Sequence, residues 1–234
     1  MENNEYKISK EQLAGCIDHT LLSTTATSEQ VKQICAEAID YGFHTVCVNP
    51  RWVSLAAHEL ARSKVKVGGV VSLPFGADTT KIKVAQANQV IFDGADEVDM
   101  VADLASIIEA DSKYLQAQLR AMIKICHSMR PAVCLKVIIE SAALTSEQIK
   151  FACNAADSCG VDFVKTATGF DPAGGATVED VKLMKESAPN CKVKAAGGIR
   201  TAQQAIEMLQ AGAERIGTSS GIQIMEEFCS GLSQ

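Results

Sequence analysis

What this chain lacks narrows its class before any motif is read. Basic residues are not in excess: 22 Lys and Arg stand against 28 Asp and Glu, a net charge of −6. Phosphate contacts need a basic face, so no nucleic-acid partner is expected. No apolar run approaches the roughly 18 residues of a membrane span, so no membrane partner is expected either. The start, MENNEYKISKEQ, has no basic stretch leading into an apolar core. No secretory leader is therefore visible, and the cytoplasm is the expected compartment. The nine cysteines, at 16, 35, 47, 126, 134, 153, 159, 191 and 229, contain no Cys-x-x-Cys pair and are odd in number. Structural zinc wants paired ligands at short spacing, and a disulfide framework wants a short secreted chain. Most of these cysteines sit in apolar runs and read as small buried hydrophobes in a reducing compartment. The histidines at 19, 44, 58 and 127 show no ligand spacing, and His127 beside Cys126 would point away from it on a helix. No metal is expected. No linker or low-complexity stretch divides the chain, so residues 1–234 are expected to form one domain. At 47% hydrophobic and 21% charged, the composition is that of a folded globular protein rather than a disordered one.

What is there is an alternation. Strand-like runs occur at 16–20, 44–49, 65–73, 96–102, 132–140, 161–168, 192–196 and 215–219, with segments of helical period between them. Thr27 precedes Gln30 by three residues, and Thr145-Ser-Glu-Gln148 and Thr201-Ala-Gln-Gln204 repeat that capping-box pattern. Gly42, Gly94, Gly160 and Gly212 follow helical stretches, as left-handed helix caps do, and each leads into a strand. Eight strand–helix units at a mean repeat of roughly 28 residues predict a parallel sheet closed as a (β/α)8 TIM barrel. The alternative, an open doubly wound sheet, usually has a glycine-rich turn after its first strand, and CIDHTLLSTTAT has none.

In a barrel the chemistry belongs to the C-terminal ends of the strands and the loops after them. The sequence reading assigns Asp18, Asp99, Lys165 and Lys194 to the ends of strands one, four, six and seven. Charged residues inside apolar runs are expensive unless paired or used. Any one of them fits a structural ion pair, but two lysines and an aspartate on nearby strands point to chemistry. Lys136 on strand five is a fifth candidate, with a role only as a partner in the same charge network left open beside that. Two lysines about 4 Å apart at an effective dielectric of about 20 repel by roughly 4 kcal/mol, or about three pKa units at most. A lysine near pKa 10.4 is roughly 0.04% neutral at pH 7, and one shifted to about 7 is roughly half neutral. That gain in free amine is what a Schiff-base nucleophile requires. Asp99 then has two roles open to it, holding the second lysine protonated and passing protons through water.

The last two loops suggest the other end of a substrate. Gly197 and Gly198 precede the helix capped by Thr201, and Gly217, Ser219 and Ser220 open the final helix. Glycines let a phosphate approach the backbone, and helix N-termini present free N–H groups. The run DPAGGAT at 171–177 fits equally an extension of this site or a flexible loop.

With these residues in hand, the sequence resembles the deoxyribose-phosphate aldolases, class I enzymes that cleave 2-deoxy-D-ribose 5-phosphate. The resemblance runs from Ile17-Asp-His-Thr-Leu-Leu22 to Ile216-Gly-Thr-Ser-Ser-Gly221. It includes Cys47-Val-Asn-Pro50, Gly94-Ala-Asp-Glu-Val-Asp-Met-Val101 and Lys136-Val-Ile-Ile-Glu140. Its strongest stretches are Asp162-Phe-Val-Lys-Thr-Ala-Thr-Gly-Phe170 and Val193-Lys-Ala-Ala-Gly-Gly-Ile-Arg200. The resemblance implies Lys165 as the Schiff-base lysine and Asp99 with Lys194 as the proton donor and acceptor. It implies phosphate contacts at Gly169, Gly197, Gly198, Gly217, Ser219 and Ser220, and substrate-hydroxyl contacts at Asp18 and Thr168. This chain departs from many members at Ser23, at Ser72-Leu73, at Asp103 and in the 170–175 loop.

The implied reaction is reversible cleavage to D-glyceraldehyde 3-phosphate and acetaldehyde. It needs no metal or organic cofactor, because the lysine iminium serves as the electron sink. The implied partner is a small phosphorylated sugar, with homodimer and homotetramer both left open. Two rivals stand beside this reading: a class I aldolase or transaldolase-like barrel for another sugar phosphate, and a catalytically silent sugar-phosphate sensor. Acetaldehyde release from deoxyribose 5-phosphate separates the first, and the retention of Lys165, Lys194 and Asp99 speaks against the second.

Overall fold

Eight strands hydrogen-bond in parallel, each to its neighbours in sequence, and the last pairs with the first. They are β1 (Ile17–Leu21), β2 (Thr45–Val48), β3 (Lys66–Val71), β4 (Glu97–Val101), β5 (Cys134–Ile138), β6 (Phe163–Lys165), β7 (Lys192–Ala196) and β8 (Arg215–Thr218). In this computed structural model, which describes residues 8–231, the expected TIM barrel is therefore closed. Residues 1–7 of the start expected to carry no leader, and the last three residues of the expected 1–234 domain, lie outside the described residues.

Helices cover the barrel: α1 (Lys10–Ala14) before β1, then α2 (Ser28–Tyr41), α3 (Val53–Leu60) and α4 (Thr80–Phe92). Next come α5 (Leu104–Ile108) and α6 (Ser112–Ser128), both between β4 and β5, and α7 (Ser146–Cys159). The last three are α8 (Val178–Ser187), α9 (Ala202–Gln210) and α10 (Gly221–Gly231). Thr27, Thr145 and Thr201 form the expected reciprocal capping boxes with Gln30, Gln148 and Gln204. Losing such a cap costs about 1 kcal/mol. Gly42 and Gly160 are left-handed C-caps. At the other two ends the cap is right-handed, on Asp93 and Ala211, and Gly94 and Gly212 turn the chain one residue later at φ 106° and 110°.

The strand period of two sorts the barrel residues. Ile17, Val46, Val98, Val137, Val164, Val193 and Ile216 face outward into the buried apolar layer. There they meet helix residues such as Val31, Leu115, Leu119, Met122, Ile149, Val181, Met208 and Ile224. The residues that alternate with them point into the barrel, and many of those are charged. Among the described residues no helix is long and apolar enough to cross a membrane.

Candidate active site

Inside the barrel the strands bring seven ionisable side chains into one column. Asp99 is its hub. Lys165 and Lys194 both donate to Asp99 Oδ2, at 2.8 and 2.7 Å, and Lys136 donates to Oδ1 at 2.8 Å. Lys194 also ion-pairs with Asp18. One layer lower, Lys136 reaches Glu97 Oε2 at 2.6 Å and lies 3.6 Å from Asp18. Arg215 bridges Asp18 and Glu97, and the Thr45 hydroxyl donates to Glu97 at 2.9 Å.

Strand ends were expected for Asp18, Asp99, Lys165 and Lys194, and the structure corrects three of them. Asp18 lies early in β1, while Asp99 and Lys194 are mid-strand; only Lys165 ends its strand. The physical reason is continued pairing. Leu21 still aligns with Val48, Val101 with Ile138, and Ala196 with Gly217. Asp18, Asp99 and Lys194 are consequently sealed from solvent, while Lys165 lies where the barrel opens into a cavity.

Burial pushes the Lys165 amine below its ordinary value; Asp99 opposes that shift and Lys194 adds to it. The anticipated lysine–lysine repulsion thus contributes, but desolvation is the larger cause. Burial works against charge on Lys194 too, yet Asp18 and Asp99 outweigh it and hold this amine above the usual lysine value. Asp99 is also desolvated, but Lys136, Lys165 and Lys194 keep its carboxyl well below the usual range. The site therefore pairs an amine disposed to lose its proton with one that keeps it. Cys47 is buried, and burial pushes its thiol up to about 11, so it is a protonated, inert neighbour at neutral pH.

A cavity of about 480 Å³ opens above Lys165, within the size range of small-molecule sites. Thr168, Gly169, Gly197, Gly198, Gly217 and Ser219 line it, as does Lys165 itself. Asp18, Asp99, Lys194 and Ser220 do not line it: the first three lie in the column, and Ser220 donates its N–H to Thr218 Oγ1. Thr218 Oγ1 donates in turn to the Ile199 carbonyl at 2.7 Å, tying the last two loops together. The 171–177 run is a docked buttress. Ala176 N–H bonds to the Gly197 carbonyl at 3.1 Å, and a Cβ on Gly175 would come within 2.2 Å of that same oxygen. Only glycine permits that approach.

Several site residues escaped the sequence reading. Thr20, Phe170 and Arg200 line the cavity. Arg200 carries a guanidinium beside the two glycine loops, and its signal was its place directly after Gly197-Gly-Ile199. Glu140, buried and held in left-handed backbone at φ 55°, accepts the Thr168 N–H on both carboxylate oxygens at 3.2 Å. It thereby anchors the loop that follows Lys165. Glu97 and Arg215 were missed although each stands two residues before an expected site residue, Asp99 and Gly217, and so shares its inward face.

A model of the DeoC/LacD family of aldolases matches residues 13–227. The deoxyribose-phosphate aldolase of Thermococcus kodakarensis is 47% identical over 222 residues, covering 94% of this chain and 98% of that protein. That of Finegoldia magna is 48% identical over 216 residues, covering 92% of this chain and 99% of its own length. Among solved structures, the tetrameric deoxyribose phosphate aldolase of Aeropyrum pernix superposes with a TM-score of 0.88 at 31% identity, covering 95% of this chain and 93% of that one.

Proposed function

The chain belongs to the DeoC/LacD family of aldolases, and from that premise we propose that it cleaves 2-deoxy-D-ribose 5-phosphate reversibly to D-glyceraldehyde 3-phosphate and acetaldehyde. The single observation that carries the mechanism is the shared Asp99 oxygen, which joins Lys165, at the cavity and pushed below the ordinary lysine value by burial, to Lys194, held above it by Asp18 and Asp99 against its burial. Neutral Lys165 attacks the C1 aldehyde of the open-chain sugar, and loss of water leaves an iminium. Removal of the C3 hydroxyl proton forms the C3 carbonyl as the C2–C3 bond breaks, and the electron pair flows to the iminium nitrogen. Glyceraldehyde 3-phosphate departs. The enamine is protonated at C2, and water hydrolyses the resulting iminium to acetaldehyde and free Lys165. Lys194 is the reservoir for these protons, passed directly or through water. Asp99, fixed as an anion, orients both amines and offsets the iminium charge.

The phosphate fits the mouth formed by Gly169, Gly197, Gly198, Gly217 and Ser219, with Arg200 supplying charge and Ser220 supporting the loop from behind through Thr218. Thr168 is the hydroxyl contact within reach of the cavity, whereas Asp18 supports the site through Lys194. No metal or organic cofactor enters this scheme. A single domain, a cytoplasmic setting and a homodimeric or homotetrameric assembly belong to the same reading, the last checked by sedimentation.

The test is reductive trapping. Borohydride with deoxyribose 5-phosphate should leave an adduct on Lys165, located by peptide mass mapping, and Lys165→Ala should lose both adduct and acetaldehyde release while remaining folded. An adduct on Lys194 would reverse the two roles.

A further inference from the structure

The charged column contains more than the reaction uses. Asp18, Glu97 and Asp99 are three carboxylates; Lys136, Lys165, Lys194 and Arg215 are four bases. A buried set of this kind is costly when it carries net charge, so three of the four bases balance it and the fourth is surplus. Contact geometry decides which one. Lys136 meets three carboxylates, at Asp18, Glu97 and Asp99. Lys194 meets Asp18 and Asp99, and Arg215 meets Asp18 and Glu97. Lys165 meets Asp99 alone, on an oxygen it shares with Lys194. Lys165 is the base least held in its charged form.

We propose that Glu97 and Arg215, neither of which lines the cavity, set the protonation state of Lys165 by completing this charge balance, and so act as positioning residues for the reaction. The inference rests on the reading of Lys165 as the reacting amine. Other groups facing the column leave the balance intact. From β2 comes the protonated Cys47 thiol. Glu140, after β5, gives its carboxylate to the Thr168 N–H and feels the Lys165 charge only from beyond ion-pair distance, a contribution that both variants below keep. His44 stands at the opposite barrel mouth, 3.6 Å from Glu97 Oε1. On β3 Gly68 and Val70 carry no charge, while Lys66 and Lys192, at the starts of β3 and β7, are exposed and paired with Asp96 and Glu214.

Glu97→Gln removes an anion and leaves cations in excess, so Lys165 gives up its proton more readily. Arg215→Met removes a cation and leaves carboxylates in excess, so Lys165 retains its proton. The experiment follows the initial rate of cyanoborohydride trapping of acetaldehyde by the full chain against pH, with the adduct mapped. The half-maximal pH should fall by roughly one unit in Glu97→Gln and rise by roughly one unit in Arg215→Met, as for a charge one ion pair removed from Asp99 at an effective dielectric of about 20. The double variant should return close to wild type. General damage to the barrel would not move the two single variants in opposite directions. If Arg215→Met does not fold, Glu97→Gln and the double variant carry the test: the first must shift down and the second must not. Shifts of equal sign, or none, overturn the proposal. A wild-type chain that traps no acetaldehyde on Lys165 defeats the underlying reading instead.

Discussion

Replacing Lys194 with leucine tests the electrostatic core of the site most directly. Lys194 shares Asp99 Oδ2 with Lys165 and also neutralises Asp18. Its removal has two effects on Lys165, and both favour the charged amine. The repulsion between neighbouring ammonium groups, up to about 4 kcal/mol at close range and an effective dielectric of about 20, disappears. The Asp99 oxygen, formerly divided between two donors, is left to Lys165 alone. The Lys165 pKa should therefore rise by as much as about three units, cutting the neutral amine at pH 7 by up to about a thousandfold. Asp18 keeps Arg215 as a partner, so the barrel is not left with an orphaned carboxylate. The assay is the rate of cyanoborohydride trapping across pH, since trapping requires the free amine of Lys165 but not the later proton transfers. Raising the pH should restore trapping in Lys194→Leu while turnover stays low, because the proton reservoir is gone. A half-maximal pH identical to that of wild type would show that the two lysines do not couple, and the account of how Lys165 is activated would fail.

Two further perturbations address other parts of the molecule. Gly198 sits at φ 78° with nothing within 4 Å of where a Cβ would stand, so Gly198→Asp adds a charge at the cavity mouth at a backbone cost of about 1–2 kcal/mol. It should lower kcat/KM for deoxyribose 5-phosphate by about a hundredfold or more, while Gly198→Ala, with the same backbone cost, loses far less and unphosphorylated deoxyribose is equally served by both; equal losses on the two sugars would remove the phosphate from that mouth. Lys83, fully buried, donates to the Val101 carbonyl and to Gln118, and burial lowers its amine to about 8 against the pull of Asp103 and Asp78. The unfolded chain, with this lysine near 10.4, binds more protons between those values, so wild-type stability should rise with pH across that window by up to about 3 kcal/mol from this residue. Denaturant midpoints of wild type and Lys83→Met that run parallel from pH 8 to 10 would refute it.

The barrel was legible because its punctuation is local. A threonine cap or a glycine stop marks α2, α4, α7, α8 and α9, and the intervening β-branched runs leave little choice but strands. The short helices α1 and α5 were missed although Ser9 and Gln12 form a capping box at α1 and Asp103 caps α5; five residues hold too little periodicity to stand out. Lys165, Asp99 and Lys194 were identifiable because charge inside an apolar run is conspicuous. Their depth was not, since strand length depends on what the neighbouring strand offers and not on the strand's own residues. The inward face of Glu97 and Arg215 follows from the period of two once Asp99 and Gly217 are placed. Phe170 and Arg200 lie on loops, where no period links position to direction.

The composition of the barrel interior bears on why the fold tolerates such a column. Barrels of this type ordinarily fill their centres with branched apolar side chains, and buried ion pairs are weak contributors to stability when compared with a well-packed apolar substitute. The outward faces of the same strands, with their valines and isoleucines against ten helices among the described residues, already supply the apolar burial. Stability therefore does not require the inward face, which is free to carry charge. The bases of the column are held by unequal numbers of carboxylates: three at Lys136, two each at Lys194 and Arg215, and one at Lys165. A gradient of that kind has no value for packing, where any satisfied pair serves equally well. It has value where one amine must release a proton that its neighbour retains, and the base with the fewest carboxylates is the one that lies where the cavity begins.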